Sequence, residues 1–145
     1  MTDATIRIVA LGDSTTAGTP GFSSPIEAPP SGRGDETSQY AWRLMKAHPE
    51  WQVMNRGVNG ERSDQIRARF ARDVRDARPA VVIIIAGVND IYQGRPAAAV
   101  IEQLRAMYEM ARNAGIHVVA GSIVPFNTAT GDQIARMHEV NAWIR

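Results

Sequence analysis

The run Ala80-Val-Val-Ile-Ile-Ile-Ala86 constrains this chain more than any other feature. Its five consecutive β-branched residues favour an extended backbone over a helix. They do not alternate with polar residues, so the strand they predict is apolar on both faces. A strand of that kind belongs in the interior of a parallel sheet, with helices covering both sides.

The rest of the chain supplies matching elements. Ile6–Leu11 is a short apolar run ended by Gly12-Asp13, and it predicts a first strand. Trp51–Met54 and Ile116–Ile123 predict two more. Gln39–Ala47 places Tyr40, Leu44 and Ala47 on one face before Pro49, as a helix would. Glu61–Asp76 repeats Ile66, Phe70 and Val74 at a spacing of four, which predicts one amphipathic helix. Pro96 suits the first turn of a helix that carries Val100, Leu104, Met107 and Ala111 and ends at Gly115. Gln133–Arg145 lines up Ile134, Met137, Val140 and Ile144. Thr19–Thr37 is rich in Pro, Gly and Ser and reads as a loop. The order βαβαβαβα predicts a three-layer α/β/α sandwich of flavodoxin-like type, a single domain over residues 1–145.

Composition narrows the partners. Sixteen basic residues against fifteen acidic ones leave a net charge of +1, no basis for attraction to nucleic acid or an anionic membrane. The absence of cysteine excludes disulfides, a thiol nucleophile and cysteine-ligated metal. The longest apolar run, Ala80–Ala86, is too short to span a bilayer. The chain enters Ile6–Leu11 with no signal-peptide pattern, as expected of a cytoplasmic protein or a mature secreted one. Arg62, Arg67, Arg69, Arg72 and Arg75 alternate with Asp64, Asp73 and Asp76, which predicts a solvated helix face and not a nucleic-acid stripe. Trp42, Trp51 and Trp143 are expected to pack, and Asp35-Glu36, with no neighbouring His, is a poor metal site. A small-molecule substrate is the partner class that remains.

Three turns carry candidate chemistry. Gly12-Asp13-Ser14-Thr15 follows the first strand, Asn59-Gly60 follows the second and opens a helix, and Gly87-Val88-Asn89-Asp90 follows the buried third. Taken singly, each reads as a turn or cap, with Asp13 and Asp90 fixing the turns. In an open parallel sheet, however, all three lie at the carboxyl ends of strands, where ligands bind. They supply a hydroxyl, a backbone N–H and a side-chain amide, the parts of a nucleophile with an oxyanion hole.

The segments Val9-Ala-Leu-Gly-Asp-Ser-Thr-Thr-Ala-Gly18, Asn55-Arg-Gly-Val-Asn-Gly60 and Ala86-Gly-Val-Asn-Asp90 resemble, in order and context, three conserved blocks of the GDSL/SGNH serine esterases. Thr15 stands where the eponymous Leu often does. The resemblance implies Ser14 as nucleophile and an oxyanion hole made by the Ser14 and Gly60 N–H groups and the Asn89 side chain. It implies acyl esters, thioesters or acetylated sugars as substrates, with no metal or organic cofactor. The Thr19–Thr37 loop is expected to wall the acyl or alcohol pocket.

The family's catalytic acid and base lie in an Asp-x-x-His-Pro block. His48, His117 and His138 have Met45, Ala114 and Ala135 three positions earlier, so none matches. The domain is therefore expected to be C-terminally incomplete, without its last strand and helix, and these 145 residues alone nearly inactive. The bare edge of Ile116–Ile123 would then call for a companion C-terminal fragment or an edge-to-edge dimer. A non-catalytic module that binds a carbohydrate or acyl ligand is the alternative. A flavodoxin-like nucleotide binder is a weaker third reading, because Gly12-Asp13 puts a carboxylate where a phosphate would sit.

Overall fold

The computed structural model describes residues 5–145. Its main sheet is parallel, in the spatial order β4-β1-β5-β6, from strands β1 (Ile6–Gly12), β4 (Trp51–Gly57), β5 (Val81–Ile85) and β6 (His117–Ala120). A small antiparallel pair, β2 (Phe22–Ser23) and β3 (Arg33–Gly34), stands apart from it. The helices are α1 (Ser14–Ala17), α2 (Tyr40–Ala47), α3 (Ser63–Ala68), α4 (Phe70–Asp73), α5 (Val88–Tyr92), α6 (Ala97–Asn113) and α7 (Gly131–Ile144). From β1 the chain moves one way to β4, then crosses back past β1 to β5 and β6. This reversal creates a crevice at the carboxyl ends of the strands.

Alternation along the strands sorts two cores. Val9, Leu11, Val82 and Ile84 face α3, α4, α6 and α7, meeting Ile66, Phe70, Val74, Val100, Leu104, Met107, Met137 and Val140. Ile8, Ala10, Val81 and Ile83 face α2, with Ala41, Leu44, Met45, Val53 and Trp51. Helices therefore lie on both faces, and the fold is the expected three-layer α/β/α sandwich.

Several boundaries differ from the sequence reading. The Val81–Ile85 run is not equally buried on both faces. Val82 and Ile84 are fully buried, whereas Val81, Ile83 and Ile85 are half-buried. On that side α2 lies chiefly over β4, so its cover thins toward β5. Strand β6 stops at Ala120, well short of Ile123. The Ile123 N–H and C=O are taken instead by the Asn141 side chain of α7, at 2.7 and 3.2 Å. β4 runs on to Gly57, and a helix, α5, forms where only a turn was expected. The helix expected over Glu61–Asp76 is broken into α3, α4 and a short 3-10 turn, with the break at Arg69 (φ −103°, ψ 9°). Arg69 is also the exception to the solvated arginine face. It is 8% exposed, and its guanidinium turns inward beneath the strand ends.

Candidate functional site

Register brings the three turns together. Gly12 pairs level with Gly57 on one side and Ile85 on the other, so β1, β4 and β5 end at one height. The chain turns sharply after β1, and Asp13 caps α1 by accepting the Thr15 N–H at 3.0 Å. Ser14, the first residue of α1, is therefore not the cap. Its own N–H is one of the free donors of a helix start, and its side chain is half-exposed at the crevice. Gly57 lets α1 approach this closely, because a Cβ there would collide with the Ala17 N and sit 2.7 Å from the Asp13 carbonyl.

Beneath the turn, burial dominates the electrostatics. Asp13 is 1% exposed, and desolvation pushes its carboxyl up to about 6, against the lowering effect of the Thr15 hydrogen bonds. One carboxyl oxygen of Asp13 is buried without a hydrogen-bond partner among the described residues, and the buried Thr16 and Tyr40 hydroxyls lie beside each other. Burial likewise drives the Tyr40 phenol up to about 12. The amide of Asn55 donates to the Ala17 carbonyl at 3.0 Å and to Gln39 Oε1 at 2.8 Å, and it accepts the Gly57 N–H at 3.0 Å. It thus ties the end of β4 to the end of α1.

A pocket of about 300 Å³ opens at this end of the sheet, lined by Ser14, Thr15, Val88, Asn89, Tyr92, Val124, Pro125 and Phe126. Ser14 and Asn89 share it. Asn89 Nδ2 donates to the Glu61 carbonyl at 2.9 Å, which fixes the rotation of the amide. Gly60 is not among the lining residues. It occupies the neighbouring turn with φ +82°, and no atom lies within 4 Å of where its Cβ would be. The helix expected to open at Asn59-Gly60 begins only at Ser63, so no helix dipole stands directly behind the Gly60 N–H. Asp90 is fully buried and accepts both the N–H and the O–H of Ser63 at 2.7 Å, docking α5 to the start of α3.

The other wall of the pocket was not anticipated. Tyr92, 64% exposed, meets Phe126 edge-to-face at 5.8 Å between ring centres, beside Val124 and Pro125. These residues stand on α5 and on the irregular segment after β6, so no periodic pattern marked them. No residue of Thr19–Thr37 lines the pocket. That segment packs against the end of β4, where Ser24 Oγ donates to the Gly57 carbonyl at 2.6 Å.

No histidine lines the pocket. His48 stacks on Trp51 at 3.8 Å beyond the end of α2, His117 opens β6 beside a groove of about 530 Å³ at the opposite end of the sheet, and His138 is exposed on α7. Among the described residues no group of three or more His, Asp or Glu side chains is placed to hold a metal ion. No helix of the described chain is long and apolar enough to cross a membrane.

Arg69 is the polar residue that the sequence reading misplaced. Its Nε donates to Glu61 Oε1 at 2.7 Å, its Nη1 to the Arg56 carbonyl at 2.8 Å and Asp73 Oδ2 at 3.0 Å, and its Nη2 to the Gly12 carbonyl at 2.9 Å. Burial alone would raise Asp73, but hydrogen bonds from Arg72 and Arg69 outweigh it and hold the carboxyl below its usual value. A signal for this was present. Ile66, Arg69, Phe70, Asp73 and Val74 share one helical face, so Arg69 and Asp73 form an i,i+4 pair on the buried side.

A parallel α/β sandwich with a hydroxyl and an amide converging at its strand ends belongs to the class of folds that bind small molecules in that crevice. The chain itself belongs to the GDSL-like lipase/acylhydrolase family, whose profile matches residues 10–145, and so to the hydrolases of esters in general. No curated protein matches it. Among solved structures it is similar to a protein of the G-D-S-L lipolytic family from Desulfitobacterium hafniense (26% identity, TM-score 0.77, 94% of this chain and 68% of that one). It shares its fold with a GDSL-like lipase from Bacteroides thetaiotaomicron (24% identity, TM-score 0.69, 95% of this chain and 61% of that one). It also shares it with a mutant of Axe2, an acetyl-xylooligosaccharide esterase from Geobacillus (20% identity, TM-score 0.72, 99% of this chain and 74% of that one). The chain thus spans about 61–74% of the length of these neighbours.

Proposed function

We propose that the protein hydrolyses carboxylic esters through an acyl-enzyme on Ser14. The observation that carries this reading is the placement of Ser14 at the first position of α1, in one pocket with the oriented amide of Asn89. A general base takes the Ser14 proton as Oγ bonds to the ester carbonyl carbon, and the carbonyl electron pair moves onto oxygen. The Ser14 N–H, the Gly60 N–H and Asn89 Nδ2 are the donors for that oxyanion. Collapse breaks the bond to the alcohol, which leaves with the proton. Water then adds to the acyl carbon in the same way and releases the acid and free Ser14. The aromatic wall of Tyr92 and Phe126 suits an apolar or ring-bearing part of the substrate.

The base belongs to a segment outside the described pocket, since no histidine lines it. The same observation favours a second reading, a non-catalytic module that holds a carbohydrate or acyl ligand in the crevice. A fluorophosphonate probe on the full-length protein, read by intact mass and peptide mapping, separates the two. Esterase chemistry predicts one adduct, on Ser14, because an activated serine is required. An adduct on another serine with Ser14 free overturns the assignment, and no adduct at all supports the binding module. Residues 1–145 alone are expected to hydrolyse p-nitrophenyl acetate barely above background. Full activity from chain of verified mass would overturn this and point to an unrecognised base such as His138.

A further inference from the structure

We propose that Arg69 is a positioning residue, one guanidinium that sets the mutual spacing of the Ser14 turn, the Gly60 turn and the Asn89 amide. The proposal rests on the esterase reading of that site. Its geometry begins two residues before Ser14, where the Gly12 carbonyl accepts from Arg69 Nη2 at 2.9 Å and from the Val58 N–H at 3.1 Å. The adjacent strand end is held through the Arg56 carbonyl at 2.8 Å. The third arm reaches the Glu61 carboxylate at 2.7 Å, and the backbone carbonyl of that same residue receives Asn89 Nδ2 at 2.9 Å. One planar cation therefore bridges the ends of β1 and β4 and, through Glu61, the amide that follows β5.

The Gly60 turn makes no side-chain contact at its tip and is held from its two ends, with the Ser63–Asp90 bonds anchoring the chain just beyond it. Gly60 sits at φ +82° with nothing within 4 Å of its Cβ position, and the local bond from the Glu61 N–H to the Val58 carbonyl is long at 3.4 Å. The turn is thus pinned at Val58 and Glu61, both tied to Arg69 or to the carbonyl it holds. The backbone also leaves helical geometry at Arg69, which separates α3 from α4 as the side chain turns inward. A buried ion pair adds little net stability over apolar packing, so stability alone does not account for a guanidinium here. Its rigid fork, which can address several acceptors at once, does. A lysine at this position keeps the charge but cannot span three segments.

The test compares the wild-type full-length protein with Arg69→Lys in two measurements. In hydrogen exchange, peptides covering residues 57–62 should exchange about tenfold faster in the variant, while β5 and α6 keep their wild-type rates. Uniform acceleration throughout the fold would reduce Arg69 to a structural ion, and unchanged exchange in 57–62 would also overturn the proposal. In steady-state hydrolysis of p-nitrophenyl acetate, kcat should fall about tenfold to a hundredfold with KM within about twofold, as expected when reacting groups are slightly misplaced. Loosened exchange with an unchanged kcat would show that the spacing does not serve the reaction. If the wild type shows neither turnover nor Ser14 labelling, the esterase reading fails, and the exchange measurement still decides whether Arg69 holds the turns.

Discussion

Replacing Asp13 by Asn tests the claim that a carboxyl is held against its preference directly under Ser14. In the unfolded chain the group titrates near 3.8, and in the folded protein burial raises it to about 6. The folded state therefore keeps a proton that the unfolded state has already released between those two values. Stability is lost as pH rises through about 4 to 6 and levels off above that window. A shift of about two units corresponds to about 3 kcal/mol. Asn keeps the acceptor for the Thr15 N–H and carries no charge to bury. Above pH 6, Asp13→Asn should stabilise the protein by up to about 3 kcal/mol, roughly 6–12 °C in Tm for a domain of this size. Near pH 4 the two proteins should converge. Urea unfolding followed by circular dichroism at half-unit steps from pH 4 to 8 measures the difference. A stability gap that does not vary with pH across that range would refute the reasoning.

Two further outcomes follow from the site and the sheet. Asn89→Ala should lower kcat by about two to three orders of magnitude with a smaller effect on KM, as for loss of one oxyanion donor, and an unchanged kcat would leave Asn89 as a turn residue bonded to Glu61. Residues 1–145 alone should self-associate in analytical ultracentrifugation, because β6 has no outer partner among the described residues and Val119 on it is 45% exposed. Val119→Lys should weaken that association, whereas a cooperatively melting monomer of 15.8 kDa would show that the edge is already protected.

Much of this fold is legible in the linear chain because its signals are local. A run of β-branched residues, helical spacing of Ile66, Phe70 and Val74, and Gly-Asp or Asn-Gly turns each act through near neighbours along the chain. They suffice to predict parallel strands with helices between them, and the three motif blocks place Ser14, Gly60 and Asn89 at the ends of those strands. What tertiary structure alone decided depends on groups distant in sequence. Arg69 belongs by pattern to a run of paired surface charges, yet it is buried because the carbonyls of Gly12 and Arg56 and the carboxylates of Glu61 and Asp73 converge on one point. Tyr92 and Phe126 form the pocket wall only because α5 and the segment after β6 meet in space. Even the shortening of β6 is a long-range effect, since Asn141 offers Ile123 a donor and an acceptor that a strand neighbour would otherwise supply. A local pattern can state what an element prefers, but the partner that satisfies a buried charge or a strand end is chosen only when the chain is folded.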